Sequence, residues 1–424
     1  MFSPRTAPCR AACLWLFLCA FAPQALASFP ADLSAPPAVR EAVHRVWTNH
    51  PRIQSADAAR RAALANARAA AQPVYNPSLT FEGENADVDR RTAGASLALD
   101  LGGKRRARTA EGDAALRMSE ASYALERRDV AAQWLKAWCA SLLAVRQSDM
   151  GRQRVDLMQR FDRLAAQRLA VGDIGSTERD LAALALGEAQ IQQASLAGQE
   201  ATARAALEAV DEDAASILPP FPTALPPDPI TIAPLPADAR PEMIQARAEQ
   251  ERAEAGIVVA ERARRPDPTL SLTGGHVRDG ARSDRVIGLS VSIPLPVLNT
   301  GRAEIAAARA EADAASANRR AALLRSQAAL RQQQATYSAL LTAARAFRGS
   351  RASALDERTA LLERLWQAGE IGTSDYLVQL KQSLDTALSG LALESQAWQA
   401  WFDYLAAAGR LDDWIDGATL DTAR

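Results

Sequence analysis

The sequence predicts a mainly α-helical chain with a membrane β part, built as one unit duplicated in tandem. Three observations carry this. Landmarks recur in the same order, 190 to 198 residues apart: Pro51–Ala56 with Pro241–Ala246, Asn76–Gly83 with Asp267–Gly274, Leu101–Lys104 with Asn299–Arg302, and Val171–Glu178 with Ala368–Asp375. Each copy holds a period-two segment followed by a long stretch free of proline. Apolar residues make up 48% of the chain but aromatics only 5%, so much of the apolar content is alanine. Alanine favours helix and allows close helix approach, which suits long thin coiled coils better than a thick globule.

The first 27 residues read as an export signal. Arg5 and Arg10 give the positive start, Ala11 to Ala22 the apolar run, and Ala25-Leu26-Ala27 a small-x-small cleavage site before Ser28. Leu16-Phe17-Leu18 lacks the small residue expected before a lipidated cysteine, so lipidation at Cys19 is discounted. Removal of the signal takes Cys9, Cys13 and Cys19 and leaves Cys139 alone, which excludes an intrachain disulfide framework. Net charge moves from −1 to −3, because 49 basic residues become 47 against 50 acidic ones. Neither value suits a nucleic-acid binder. No later apolar run is long enough for a transmembrane helix, so a membrane part would have to be a closed β-barrel.

Residues 37 to 72 have helical spacing, with Val39, Val43, Val46 and Trp47, then Ile53, Ala56 and Ala63. From Pro73 the period becomes two, with Tyr75, Leu79 and Phe81 on one face and Asn76, Ser78, Thr80 and Glu82 on the other. Glu84 to Thr92 reads as a polar turn, and Ala95, Leu97, Leu99 and Leu101 alternate as the second strand. From Gly102 to Ala170 Trp134, Trp138, Leu142, Val145, Leu157, Phe161 and Leu164 mark a coiled-coil seam. As one helix this stretch reaches roughly 100 Å at about 1.5 Å per residue. The chain turns at Gly172 to Gly175, and a second helix returns from about Thr177 to Asp213.

Nine prolines between Pro219 and Pro241 mark the join between copies. The second copy then reads helix (Pro241 to Arg265), strand (Pro268 to Gly274), turn (Arg278 to Asp284), strand (Val286 to Leu295) and long helix (Arg302 to Ala368). The returning helix carries Leu377, Leu380, Leu384, Leu388, Leu391, Trp398, Phe402 and Leu405. The chain therefore divides into a signal (1–27), a first repeat (28–218), a Pro-rich linker (219–240), a second repeat (241–410) and a C-terminal tail (411–424). The first repeat has its β-hairpin at 74–101 and its helical hairpin at 102–213, with the tip at 171–178. The second has its β-hairpin at 268–295 and its helical hairpin at 301–408, with the tip at 368–375.

Four strands cannot close a barrel, and open sheet edges are not tolerated in lipid. A homotrimer would supply twelve strands, enough for a water-filled barrel, while its helical hairpins continue the bore as a tube. One departure stands out: barrel strands usually carry aromatic girdles, and these four offer only Tyr75 and Phe81.

The order helix, hairpin, long coiled coil, repeated, resembles the TolC family of outer-membrane efflux channels over essentially the whole mature chain. Within it, Leu99-Asp-Leu-Gly-Gly-Lys-Arg105, Phe81-Glu-Gly-Glu-Asn85 and Ile293-Pro-Leu-Pro-Val-Leu-Asn299 before Gly301-Arg302 are similar to the cation-efflux branch, the cobalt–zinc–cadmium type. The resemblance implies a TolC-like fold: a trimeric 12-stranded barrel in the outer membrane, in contact with lipid, over an α-helical tunnel across the periplasm. It implies a passive, non-enzymatic exit duct of a tripartite RND-type system, working with a periplasmic membrane-fusion adaptor and an inner-membrane RND pump. Heavy-metal cations are the expected cargo. The alternatives are drug or organic-solute efflux within the family, or a soluble periplasmic coiled-coil adaptor of another class.

No catalytic, cofactor-binding or metal-ligating constellation is present: His44, His50 and His276 share no ligand spacing, and zinc needs about four convergent ligands. Gly103-Lys104 and Gly301-Arg302 lack the flanks of a phosphate loop and read as sharp strand-to-helix bends. The candidate site is the pair of tips. Gly172, Gly175, Gly369 and Gly372 let the backbone reverse, Ser176, Thr177, Thr373 and Ser374 are expected to cap the returning helices, and Val171, Ile174 and Ile371 are their apolar residues. The resemblance implies adaptor docking and gating at these residues, six tips for three copies. Asp173, Glu178, Glu370 and Asp375 would make the entrance acidic and attractive to cations; the same residues also suit a helix N-terminus.

Overall fold

The computed structural model describes residues 34–85, 88–212, 218–350 and 355–417. The signal segment, with Cys9, Cys13 and Cys19, lies outside the described residues.

The helical stretch expected over 37–72 is two helices, α1 (Pro37–Asn49) and α2 (Pro51–Ala70). His50 is extended (φ −68°, ψ 127°) because the proline that follows it disfavours helical backbone. Its Nδ1 accepts from Arg52 N at 3.2 Å and so caps α2. Burial, then the Arg52 charge, holds His50 below the ordinary histidine range, in keeping with a neutral acceptor.

Strands β1 (Ser78–Glu84) and β2 (Val88–Ala98) follow, then α3 (Lys104–Ala170) and α4 (Ser176–Glu208). At 67 residues α3 is continuous, as its lack of proline predicts. The Asp100 carboxylate starts it, accepting from the Lys104 and Arg105 backbone N–H groups at 2.8 and 2.7 Å. Ala107, Ala114 and Ala121 of α3, and Ala182, Ala189 and Leu196 of α4, are buried at heptad spacing. Alanine at five of these six positions lets neighbouring helices approach closely.

The second copy gives α5 (Pro241–Ala263), β3 (Thr269–Asp279), β4 (Arg282–Ser292), α6 (Arg302–Gly349), α7 (Leu355–Gln367) and α8 (Thr373–Ala408), followed by α9 (Leu411–Asp416). The single helix expected from Arg302 to Ala368 is thus interrupted. Ser350 is extended, and both its N–H and its Oγ bond the Phe347 carbonyl, at 3.1 and 2.7 Å. A serine after glycine that takes up a helical carbonyl in this way competes with continuation of the helix. The proposed tail likewise begins with α9, whose Leu411, Trp414 and Ile415 are buried.

The strands form one antiparallel sheet in the order β1-β2-β3-β4. Its strands differ from expectation at their ends. Much of the expected polar turn at 84–92 is strand, since β2 begins at Val88 and pairs Arg91 with His276. The second turn narrows to Gly280 and Ala281. Tyr75 stands before β1 rather than in it, and its hydroxyl donates to Asp267 Oδ2 at 2.6 Å.

Register rows separate the sheet's faces by chemistry. One face carries Leu97–Leu270–Val291, Leu79–Ala95–Leu272–Leu289 and Phe81–Ala93–Gly274–Ile287. The other carries Ser78–Ser96–Ser271–Ser290 and Thr80–Gly94–Thr273–Gly288. In β2 the residues of the aliphatic face are the more exposed, so the sheet curls with that face convex.

The aromatics are gathered rather than spread. Trp134 and Trp138 stack with ring centroids 6.0 Å apart, in a core with Trp401, Phe402, Tyr404, Tyr337 and Trp414. The Pro-rich linker docks on this core. Trp138 Nε1 donates to the Pro219 carbonyl at 3.0 Å, the Tyr404 hydroxyl to that of Ile232 at 2.9 Å and the Tyr337 hydroxyl to that of Pro227. Proline lacks an N–H but keeps a carbonyl acceptor, which lets such a segment be held by buried aromatic donors.

Candidate functional site

Both tips are built the same way. The Gly172 and Asp173 N–H groups bond the carbonyls of Leu169 and Arg168, at 3.0 and 2.9 Å; those of Gly369 and Glu370 bond Trp366 and Leu365, at 3.0 and 2.9 Å. These are Schellman closures, which require left-handed backbone at the residue after the cap. Gly172 and Gly369 supply it, with φ of +76° and +75°. Gly175 and Gly372 have φ of −81° and −71°, which any residue adopts, so the reversal rests on two of the four expected glycines.

The expected serine and threonine caps are not formed. Gly175 and Gly372 occupy the cap positions, placing Ser176 and Thr373 inside the first turn. At the first tip Glu178 reaches back to accept from the Gly175 N–H at 3.2 Å. At the second, buried Thr373 accepts from Trp366 Nε1 at 3.3 Å instead. Ser176, Thr177 and Ser374 are exposed.

Val171 is 79% exposed at the apex, whereas Ile174 and Ile371 turn partly inward against the core behind the tips. Of the four expected acids, Asp173 lies 3.9 Å from Arg168 and Glu178 is engaged as a cap, while Glu370 and Asp375 are exposed. The tip surface therefore offsets part of its negative charge with arginine.

Behind the tips, Phe161, Trp366 and Tyr376 form a ring cluster with centroids 4.6 to 5.3 Å apart, and the Arg168 guanidinium lies 4.7 Å over Trp366. This cluster joins the hairpins of the two copies, and burial pushes the Tyr376 hydroxyl up to about 12. Sequence reasoning missed it because its rings come from three separated helices. The one local signal is Trp366, three residues before the turn glycine, where the first copy has Leu169. Further from the apex Lys381 pairs with Glu188, and Arg154 with Asp385 at 3.2 Å. These pairs flank a groove of about 230 Å³ lined by Leu181, Leu184 and Val378.

Among the described residues no group of three or more His, Cys, Asp or Glu side chains could hold a metal ion. No described helix is long and apolar enough to cross a membrane. The Cys139 thiol is buried and pushed up to about 12 by that burial, which makes it a poor nucleophile.

The family model for Outer membrane efflux protein matches residues 42–211. The chain is 26% identical over 247 residues to the cobalt-zinc-cadmium resistance protein CzcC of Cupriavidus metallidurans; the match covers 56% of this chain and 58% of that relative, a little over half its length. A membrane protein from Pseudomonas aeruginosa superposes with a TM-score of 0.73 at 20% identity, covering 88% of this chain and 94% of the other. The CmeC outer membrane channel of Campylobacter jejuni superposes with a TM-score of 0.73 at 15% identity, covering 96% and 94%. The fold is shared with these two solved structures over most of their length.

Proposed function

Because the chain belongs to the outer membrane efflux protein family, we propose that three copies form the passive exit duct of a tripartite efflux system for heavy-metal cations. The observation that carries the channel reading is the two-faced sheet. A convex face of leucine, isoleucine, valine and phenylalanine suits lipid, and a concave face of serine, threonine and glycine suits a water-filled bore. Three sheets of four strands close twelve and leave no edge. The helical hairpins extend the bore through the periplasm, and the signal directs export.

The tips at 171–178 and 368–375 are the adaptor-docking and gating elements in this reading, and an inner-membrane RND pump supplies the energy. The exposed residues Val171, Thr177, Ser374 and Asp375 offer contact. Metal cargo is supported by the likeness to CzcC and by the Leu99–Arg105 phrase. A duct whose walls offer hydroxyls rather than clustered ligands passes cations without gripping them.

The test is a deletion strain carrying wild-type or variant channel, challenged with zinc, cobalt, cadmium, copper, silver and common drugs. The wild type is expected to restore metal tolerance. Gly172→Val with Gly369→Val is expected to leave trimers intact and abolish efflux, because valine is strained at positive φ. Unchanged metal tolerance with lost drug tolerance would move the cargo to organic solutes. A monomer in the periplasmic fraction would sink the channel.

A further inference from the structure

On the convex face of the sheet the aliphatic rows end at one register step. The row after Phe81–Ala93–Gly274–Ile287 is Gly83–Arg91–His276–Arg285, and the next is Asp89–Arg278–Ser283. Three adjacent strands therefore present Arg, His and Arg side by side, at about 4.8 Å between neighbours. The acids of this end point mostly the other way: Glu82, Glu84, Asp279 and Asp284 lie in rows of the concave face.

The basic row is also poorly satisfied within the chain. The Arg91 side chain is 80% exposed, and among the described residues it meets only Asp89, at 3.6 Å. Among the described residues neither His276 nor Arg285 has an ion-pair or side-chain hydrogen-bond partner. These side chains lie at the hairpin ends, away from the helices, where an apolar band gives way to headgroups. Guanidinium at such a boundary costs far less than at the membrane midplane, and it matches phosphate oxygens two at a time.

Resting on the outer-membrane reading above, we propose that Arg91, His276 and Arg285 bind the phosphate groups of an anionic lipid in the outer leaflet, with the aliphatic rows below holding its acyl chains. Three copies repeat the site around the barrel as a belt that fixes the channel's depth. A soluble phosphate could use the charges but not the apolar rows, so the occupant is a lipid.

The test is lipid retention by the purified channel, read by native mass spectrometry with added bisphosphorylated lipid A, its dephosphorylated form, or inorganic phosphate. Wild type is expected to bind bisphosphorylated lipid A at least about tenfold more tightly than does Arg91→Gln/His276→Gln/Arg285→Gln, since two charge-assisted contacts are lost. The dephosphorylated lipid should bind wild type as weakly as the triple variant binds lipid A, and inorganic phosphate should not compete. Arg90→Gln, on the concave face of the same strand, should bind as wild type does. Equal binding by the triple variant, or an equal loss in Arg90→Gln, would overturn the inference. If the triple variant fails to assemble, Arg285→Gln alone is measured against the same criterion. A wild type that is not a membrane trimer would instead overturn the channel reading itself.

Discussion

Lys104 Nζ lies 2.7 Å from Asp267 Oδ2, tying the first turn of α3 to the residues that open β3. The carboxylate is buried, and the Tyr75 hydroxyl donates to the same oxygen at 2.6 Å. Burial lowers the affinity of Lys104 for its proton, but the Asp267 carboxylate more than offsets this and holds the ammonium above its ordinary value. One buried acid thus joins the two copies where sheet gives way to helix.

Removing one partner of such a pair leaves a buried charge uncompensated, which costs about 3 kcal/mol or more. Lys104→Met is therefore expected to lower the denaturation midpoint markedly. Lys104→Met with Asp267→Leu should recover most of the loss, because no charge is then stranded. Guanidinium denaturation of the detergent-solubilised protein measures both. Equal losses in the single and double variants would mean that the residues act through packing alone.

Much of this arrangement could be read from the chain. The duplication located both hairpins and both tips, because glycine, proline and acidic punctuation recurs at nearly constant offset. Strand ends were less legible. Asp89, Arg90 and Arg91 are charged on both faces, so no alternation marks them as strand, and only pairing with β3 makes them so. The Phe161–Trp366–Tyr376 cluster and the docked linker are contacts between distant segments, and apart from Trp366 beside the second turn no local pattern marks either.

Helix α9 gives a pH prediction. Burial pushes the Asp412 carboxyl up to about 6, with Asp416 and Asp413 raising it further and Arg127 and Arg128 opposing. Among the described residues its Oδ1 is buried without a hydrogen-bond partner. In the unfolded chain the same group titrates at 3.8. The folded state therefore binds the extra proton between about pH 4 and 6, and stability falls as pH rises through that window. Above it the contribution is a loss of about 3 kcal/mol. Asp412→Asn should raise stability at pH 7 and flatten its slope between pH 4 and 6, as denaturant midpoints across that range will show. An unchanged slope would mean that Asp412 does not hold a proton in the fold.

The duplication also specifies how one copy should join the next. Within the chain β2 meets β3, so the first repeat is sewn to the second with Ala95 opposite Leu272 and Ser96 opposite Ser271. In a closed barrel β4 must meet β1 of the next copy, and that seam is the repeat-equivalent of β2 with β3. Asn76 corresponds to Asp267, which aligns β1 with β3; the Ser78–Ser96 pair corresponds to Thr269–Ser292, which aligns β2 with β4. Carrying the register across places Ser292 opposite Thr80 of the next copy, Val291 opposite Phe81 and Ser290 opposite Glu82. All three matches keep apolar residues outside and polar residues inside, as a seam between identical repeats must. Cysteines at 292 and 80, or at 290 and 82, should therefore form covalent trimers on oxidation, since directly opposed Cβ atoms lie about 5 Å apart and a disulfide needs about 4 Å. The shifted pair 292 and 78 is about 7 Å apart and should not link. Buried Cys139, its thiol pushed up to about 12, should stay out of the reaction. Efficient linking of the shifted pair in preference to both matched pairs would show that the seam between copies does not follow the seam within one.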